Sequence, residues 1–535
     1  MKFKHDYSSR FRILKGGKIS LMVSALLGGA TISFAAPTGG SVTSGAANIS
    51  QSGTTTNITQ STDKASINWQ NFSIGANETV NFKQPNASAI TLNRVVGHEK
   101  SIIDGALNAN GQVWILNANG VLFNSTARVN TAGLVATTKE LSDADFQAGN
   151  YNFKGNSTAS VVNLGTIEVS DSGYVVLASN EVKNQGTIKA VKGKVHLTGA
   201  DQYSLNLNGN SLVTLSVNKG VLDALVENSG TIIADGGEIY LSTNAVNELL
   251  KGVVNNTGIL EANSLDGLVG KVELFAHGGT AQVDGAITAV DGFVETSGKT
   301  VDIQPTLKVK AKEWLIDPIN ITITDATSYE SSLNGGTNVT IQTVADGAED
   351  GNIYVNDEIQ WSTANKLTLQ AHNDIFINKS ITATNTGGQL ALHYGQADVN
   401  SGNTATYNIN AKVNLKAGEN FFTKLGNDVA ETTWTVVTTA AGVQGMALGG
   451  NTILGTDVDA SGIANWDPIG DDTTNFTGNF DGLGHTIDNL TIYRPTEEYV
   501  GLFGVTVGAT IKNIGLTHID VAGTHNVGGL VGANY

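Results

Sequence analysis

The chain has 535 residues, enough for several domains or one long repetitive one, with 63 Gly, only 6 Pro, 15% charged residues and no Cys. Its net charge of -17 argues against a nucleic acid partner, which would need a concentrated Lys/Arg patch. The lack of cysteine excludes disulfides, thiolate metal sites and cysteine nucleophiles together. Asn, Thr, Ser and Gly replace the missing charges, and they favour turns and strands over helices.

Residues 1–35 have the make-up of an export signal. Lys2, Lys4, Arg10, Arg12, Lys15 and Lys18 precede an apolar stretch over 19–32 and the small-residue end Ser33-Phe34-Ala35-Ala36. Cleavage after Ala35 is expected, because Ser33 and Ala35 then occupy the two positions that want small side chains. It would remove six of the 31 basic residues and one of the 48 acidic ones (Asp6), leaving 25 and 47, a net -22. No later run of eighteen apolar residues occurs, so no transmembrane segment is expected in the mature chain. A cysteine-free chain also suits passage through a pore in an extended state.

The middle of the chain repeats itself. Asn163-Leu164-Gly165-Thr166-Ile167 returns as Asn184-Gln185-Gly186-Thr187-Ile188, as Asn228-Ser229-Gly230-Thr231-Ile232, and more loosely as Asn256-Thr257-Gly258-Ile259-Leu260. A second phrase follows: Gly193-Lys194-Val195-His196-Leu197, Gly237-Glu238-Ile239-Tyr240-Leu241 and Gly270-Lys271-Val272-Glu273-Leu274. Its alternation, with Val195 and Leu197 on one face and Lys194 and His196 on the other, predicts short half-buried strands. Repeats of this length with several strands each predict an all-β solenoid, a right-handed parallel β-helix, stacked on a column of Val, Ile, Leu and Ala. Unrelated β-sandwiches would not repeat a phrase and its neighbour at similar offset.

Asn71-Phe72-Ser73-Ile74-Gly75, Val80-Asn81-Phe82, Asn93-Arg94-Val95, Gly105-Ala106-Leu107, the run Asn110-Gly111-Gln112-Val113-Trp114-Ile115-Leu116-Asn117-Ala118-Asn119-Gly120-Val121-Leu122-Phe123 and Gly133-Leu134-Val135-Ala136-Thr137 occur in this order. Together they resemble the secretion domain of two-partner secretion exoproteins of the filamentous haemagglutinin and high-molecular-weight adhesin type. The resemblance implies a β-helical domain over 36–310, read by a dedicated outer-membrane transporter. It also implies a secreted or surface-associated adhesin that meets a host-cell receptor or glycan. The family's Asn-Pro-Asn-Gly turn falls on Asn117, Ala118, Asn119 and Gly120, with alanine in place of proline. Trp314-Leu315-Ile316-Asp317-Pro318 looks like the segment that follows in the adhesin branch, and the alternation beyond it predicts a continuing β-helix over 311–440.

From 441 to 535 the vocabulary changes. Gly478-Asn479-Phe480-Asp481-Gly482-Leu483-Gly484-His485, Val500-Gly501-Leu502-Phe503-Gly504 and Val527-Gly528-Gly529-Leu530-Val531-Gly532 resemble the short glycine-leucine repeats of bacterial surface proteins. No atypical capping repeat follows the last copy, so a continuation past Tyr535 is expected.

Chemistry-bearing motifs are few. The nine histidines form no His-Glu-x-x-His pair, and neither a Gly-x-Ser-x-Gly elbow nor a Walker loop occurs. Asp457-Val458-Asp459-Ala460-Ser461-Gly462 fits the first half of a calcium loop, but Pro468 stands where the bidentate glutamate belongs. No catalytic residue, metal or cofactor is therefore expected. Asn-x-Ser/Thr triplets at Asn71, Asn77, Asn86, Asn124, Asn320, Asn338, Asn378, Asn475 and Asn489 leave glycosylation open. The alternatives to an adhesin are a haem-acquisition, cytolytic or contact-dependent toxin protein on the same secretion domain, or a polysaccharide-active β-helix enzyme.

Overall fold

The computed structural model describes residues 36–221, 223–244, 252–345 and 349–535. The export signal and its expected cleavage point at Ala35 lie outside the described residues. Nearly every element is a short strand paired in parallel with strands one coil before and one coil after, which makes an all-β solenoid.

One coil shows the construction. Strands Glu181–Asn184, Thr187–Lys189 and Lys194–Gly199 lie on three successive faces. They pair with Leu225–Asn228, Thr231–Ile233 and Glu238–Asn244 in the next coil. Matching residues of the repeated phrases stand directly over one another: Ile188 on Ile232, Val195 on Ile239, Leu197 on Leu241. All six are fully buried and belong to one apolar column. The charges of the second phrase also alternate up the rod, since Lys194 stands on Glu238 and Glu238 on Lys271. Lys194 Nζ lies 2.9 Å from Glu238 Oε2.

Asparagine and glycine of the first phrase have separate tasks. The asparagines are buried inside the turn and hydrogen-bond one another in a ladder: Nδ2 of Asn163 donates to Oδ1 of Asn184, Asn184 to Asn228 and Asn228 to Asn256, each at 2.8 Å. The glycines let consecutive turns touch. A Cβ on Gly230 would stand 2.1 Å from the Gly186 carbonyl oxygen, and one on Gly186 equally close to that of Gly165.

The expectation of half-buried strands needs correction between residues 90 and 219. Strands Gln112–Leu116, Gly133–Thr137 and Tyr174–Ser179 are buried on both faces. Their outward side chains, Trp114, Leu116, Val135, Tyr174 and Val176, form a second core with Phe146, Phe153, Tyr203, Leu205 and Leu212. The cover consists of helix Asp143–Ala148 and a small antiparallel sheet of Asn152–Lys154, Gln202–Asn208 and Ser211–Lys219, all outside the coils. Aliphatic and aromatic residues on both faces require such a second layer. His196, expected outside, is also buried, at 6% exposure, and stacks on Tyr240 with ring centroids 4.5 Å apart.

At the N-terminal end the pairing is antiparallel, Ser41–Ser44 with Lys64–Trp69 and Ala47–Ser52 with Thr55–Gln60. Beyond residue 289 the parallel stacks continue. Strand Lys308–Asp317 runs through position 310, and Trp314, Val339, Leu367, Leu390 and Phe421 succeed each other in register. From Val437 a further apolar cluster takes over, still on parallel pairs such as Val500 with Val527 and Phe503 with Val531. The last two glycine-leucine phrases are thus stacked parts of consecutive coils, whereas Asn479–Asp481 of the first stacks on residues 451–453 and on Thr510–Lys512.

Candidate functional site: the 117–120 turn

The apolar strand Gln112–Leu116 ends where Asn117 turns its side chain inward. Asn117 is fully buried; its Nδ2 donates to the Glu99 carbonyl and to Ser101 Oγ, both at 3.0 Å, and its Oδ1 accepts from the Asn119 backbone N–H at 2.9 Å. The Gly120 N–H closes the turn on the Asn117 carbonyl at 2.9 Å. Gly120 has φ 105°, and a Cβ there would stand 3.0 Å from the Ser160 carbonyl oxygen. Ala118 and Asn119 are exposed, and neither has a positive φ. That excludes type II, I′ and II′ turns. Proline suits the first central position of a type I turn, so Ala118 gives up rigidity without changing the shape.

A feature that sequence reasoning missed supports the turn from behind. Ser157 Oγ donates to the Ala118 carbonyl at 2.6 Å. The Ser157 carbonyl accepts from Lys139 Nζ at 3.3 Å, and Nζ also donates to the Gly155 carbonyl, Asn180 Oδ1 and Asp201 Oδ1, at 3.2, 2.8 and 3.2 Å. The Lys139 side chain is wholly enclosed. Burial lowers its pKa, and the hydrogen bond with Asp201 opposes the shift. This lysine ties the turn to Asp201 at the base of the Gln202–Asn208/Ser211–Lys219 hairpin. The available signal was a lone charge closing the apolar run Leu134-Val135-Ala136-Thr137-Thr138-Lys139.

The half calcium loop is otherwise engaged. Asp457 accepts from Lys412 Nζ at 2.6 Å and the Thr486 N–H at 3.0 Å. Partial burial works against ionisation, but these bonds hold Asp457 at about 2. Asp459 accepts from the Ser461 N–H and Asn489 Nδ2. Among the described residues no group of three or more His, Cys, Asp or Glu could hold a metal ion.

Comparison with known proteins gives this turn its setting. Residues 33–289 match the family described as the TPS secretion domain. The segment that holds the 117–120 turn is thus similar to a TPS secretion domain. The chain is similar to the crystal structure of the HMW1 secretion domain from Haemophilus influenzae, with a TM-score of 0.53, 25% identity, and coverage of 73% of this chain and all of that one. It is also 35% identical over 273 residues to a heme/hemopexin-binding protein of Haemophilus influenzae strain Rd, and 30% identical over 387 residues to another from that species. Those alignments cover 48% and 67% of this chain, which spans 29% and 40% of the two relatives. A TPS domain implies an outer-membrane transporter as partner and export across the outer membrane. Among the described residues no helix is long and apolar enough to cross a membrane.

Proposed function

We propose that the chain is a two-partner secretion adhesin of the haemagglutinin type, displayed at the bacterial surface. Its transporter recognises the 117–120 turn during export, and the coils beyond residue 289 carry a non-catalytic surface for a host receptor or glycan. The secretion-domain match carries this reading, supported by coils that continue past it, with one antiparallel step where Gly418–Leu425 pairs with Thr432–Val437, and by the last two glycine-leucine phrases stacked at the end. Adhesion is tested by counting cells bound to immobilised chain. Binding that survives removal of residues 290–535 would contradict an adhesive role for the later coils.

A second reading is capture of a haem-carrying host protein. The relative aligned over 387 residues, well past the length of the secretion domain, has that kind of name. Measured affinity of the purified chain for haemopexin, with no binding to epithelial cells, would replace the adhesin reading.

A further inference from the structure

Where the hairpin Gln202–Asn208/Ser211–Lys219 stops covering the coils, it leaves a half-open groove of about 530 Å³. One wall is the edge strand Ser211–Lys219, with Val213, Leu215 and Val217; Phe275, on the coil after Tyr240, also lines the groove. The floor is the stacked pair His196 and Tyr240, whose rings are 13° from parallel. Ligand sites have this composition, apolar walls with a few placed polar groups, and this range of volume.

One polar atom at the groove lacks the partner that buried polar atoms ordinarily have. His196 Nε2 is buried without a hydrogen bond among the described residues, and His196 lines the groove. The residue is 6% exposed. Leaving such a group unpaired is costly and calls for an explanation. Tyr240 Oη is taken up by Glu238, the Lys194 ammonium is shared between Glu238 and the Val213 carbonyl, and Glu273 is paired with Lys271, so the charges at the rim compensate one another.

We infer that this groove binds a neutral planar aromatic ring bearing one hydroxyl or N–H group, the ring lying between Leu215 and Phe275 and its polar group meeting His196 Nε2. Flat aliphatic and aromatic walls select a planar apolar body. Burial, with Lys194 adding to it, holds the imidazole neutral down to about pH 3, so it offers a hydrogen bond and no charge for an anion. A hydroxyl can donate or accept, which suits either tautomer.

The test uses the purified chain with labelled histidines and p-cresol, indole, benzoate and cyclohexanol as probes. The His196 imidazole resonance, assigned with His196→Gln, should shift saturably with p-cresol and indole and not with benzoate or cyclohexanol. Val213→Trp, placed at an exposed position where it fills the groove without disturbing the coils, should abolish the shift while leaving the circular dichroism of the parent. Absence of saturation up to the solubility of both aromatics would show that His196 Nε2 stays unpaired and would overturn the proposal. So would equal response to benzoate, or binding that Val213→Trp leaves unchanged.

Discussion

Asn184 donates from Nδ2 to Oδ1 of Asn228, at 2.8 Å across 44 residues of sequence, and both side chains are fully buried. Asn184 also accepts from Asn163, so one amide joins three coils. Asn184→Ala should strand a donor and an acceptor and cost about 2–4 kcal/mol. Asn184→Asp should cost more, because a buried carboxylate would face the Asn228 oxygen. Urea melts of both variants check the order; an aspartate variant as stable as the parent would speak against the ladder.

The glycine beside this ladder is equally constrained. Gly230→Ala places a Cβ against the Gly186 carbonyl, backbone that cannot swing away, and should cost about 1–3 kcal/mol as overpacking does. Gly267, with open space around a φ of 80°, is the control, where only the backbone conformation resists alanine. The two midpoints in denaturant should differ clearly, Gly230→Ala being the lower.

These two residues show why the repeat was readable. Each coil meets the next in the same geometry, so Asn, Gly and the alternating aliphatics recur with the structural period, and the sequence displays the contact it makes. The outer layer has no such period. His196 reads as a solvent-facing position by alternation and is buried only because a hairpin and Tyr240 close over it. Lys139 reaches Asp201 from 62 residues away, a pairing that no local pattern encodes. At the turn, the sequence displayed the residue types but not their division of labour. Asn117 bonds inward, Gly120 takes the positive φ, and the two residues between are ordinary.

That division predicts a split between neighbours. Gly120→Val should cost about 1–2 kcal/mol from backbone strain alone, whereas Asn119→Val should lose the bonds from its Nδ2 to the Gly97 carbonyl and to Asn117 Oδ1, leave Asn117 Oδ1 still paired with the Asn119 backbone N–H, and fold normally. Ala118→Pro should be neutral or stabilising by about 0.4–1 kcal/mol, since the position is exposed and its N–H makes no bond. If Asn119→Val folds and is still retained in the periplasm, the exposed amide is read by the transporter; if it is released like the parent, the turn serves folding alone.

Asp317 should make stability depend on pH. Burial, then the nearby Glu295, raises its pKa to about 6, and its Oδ1 is buried without a partner among the described residues. A raised carboxyl pKa means the folded chain binds the proton more tightly, so stability is lost as pH rises from about 4 through 6. Asp317→Asn should therefore gain about 1–2 kcal/mol at pH 7.5, after allowance for solvent screening, and nothing at pH 4. Thermal melts at the two pH values decide, and an equal gain at both would assign the effect to packing.

Asp481 fastens the glycine-leucine coils to the rod. It is fully buried, accepts from Tyr407 Oη at 2.7 Å, from Asn513 Nδ2 and the Leu483 N–H at 2.9 Å each, and has Lys512 Nζ 3.7 Å away. Asp481→Ala should cost about 3–5 kcal/mol locally, as loss of one member of a buried charged cluster does. Deleting residues 441–535 should likewise leave Tyr407 and the Val413 and Leu415 backbone groups unpaired. Protease sensitivity should then rise over 390–440, with the secretion domain unaffected.

The most direct test of the whole account is the amount of chain reaching the medium of cells that make it with and without its outer-membrane transporter. Export by two-partner secretion predicts release only when the transporter is present, with residues 1–289 sufficient and Gly120→Val held back. Equal release in cells lacking the transporter would contradict the assignment of residues 33–289 as the part that the transporter reads.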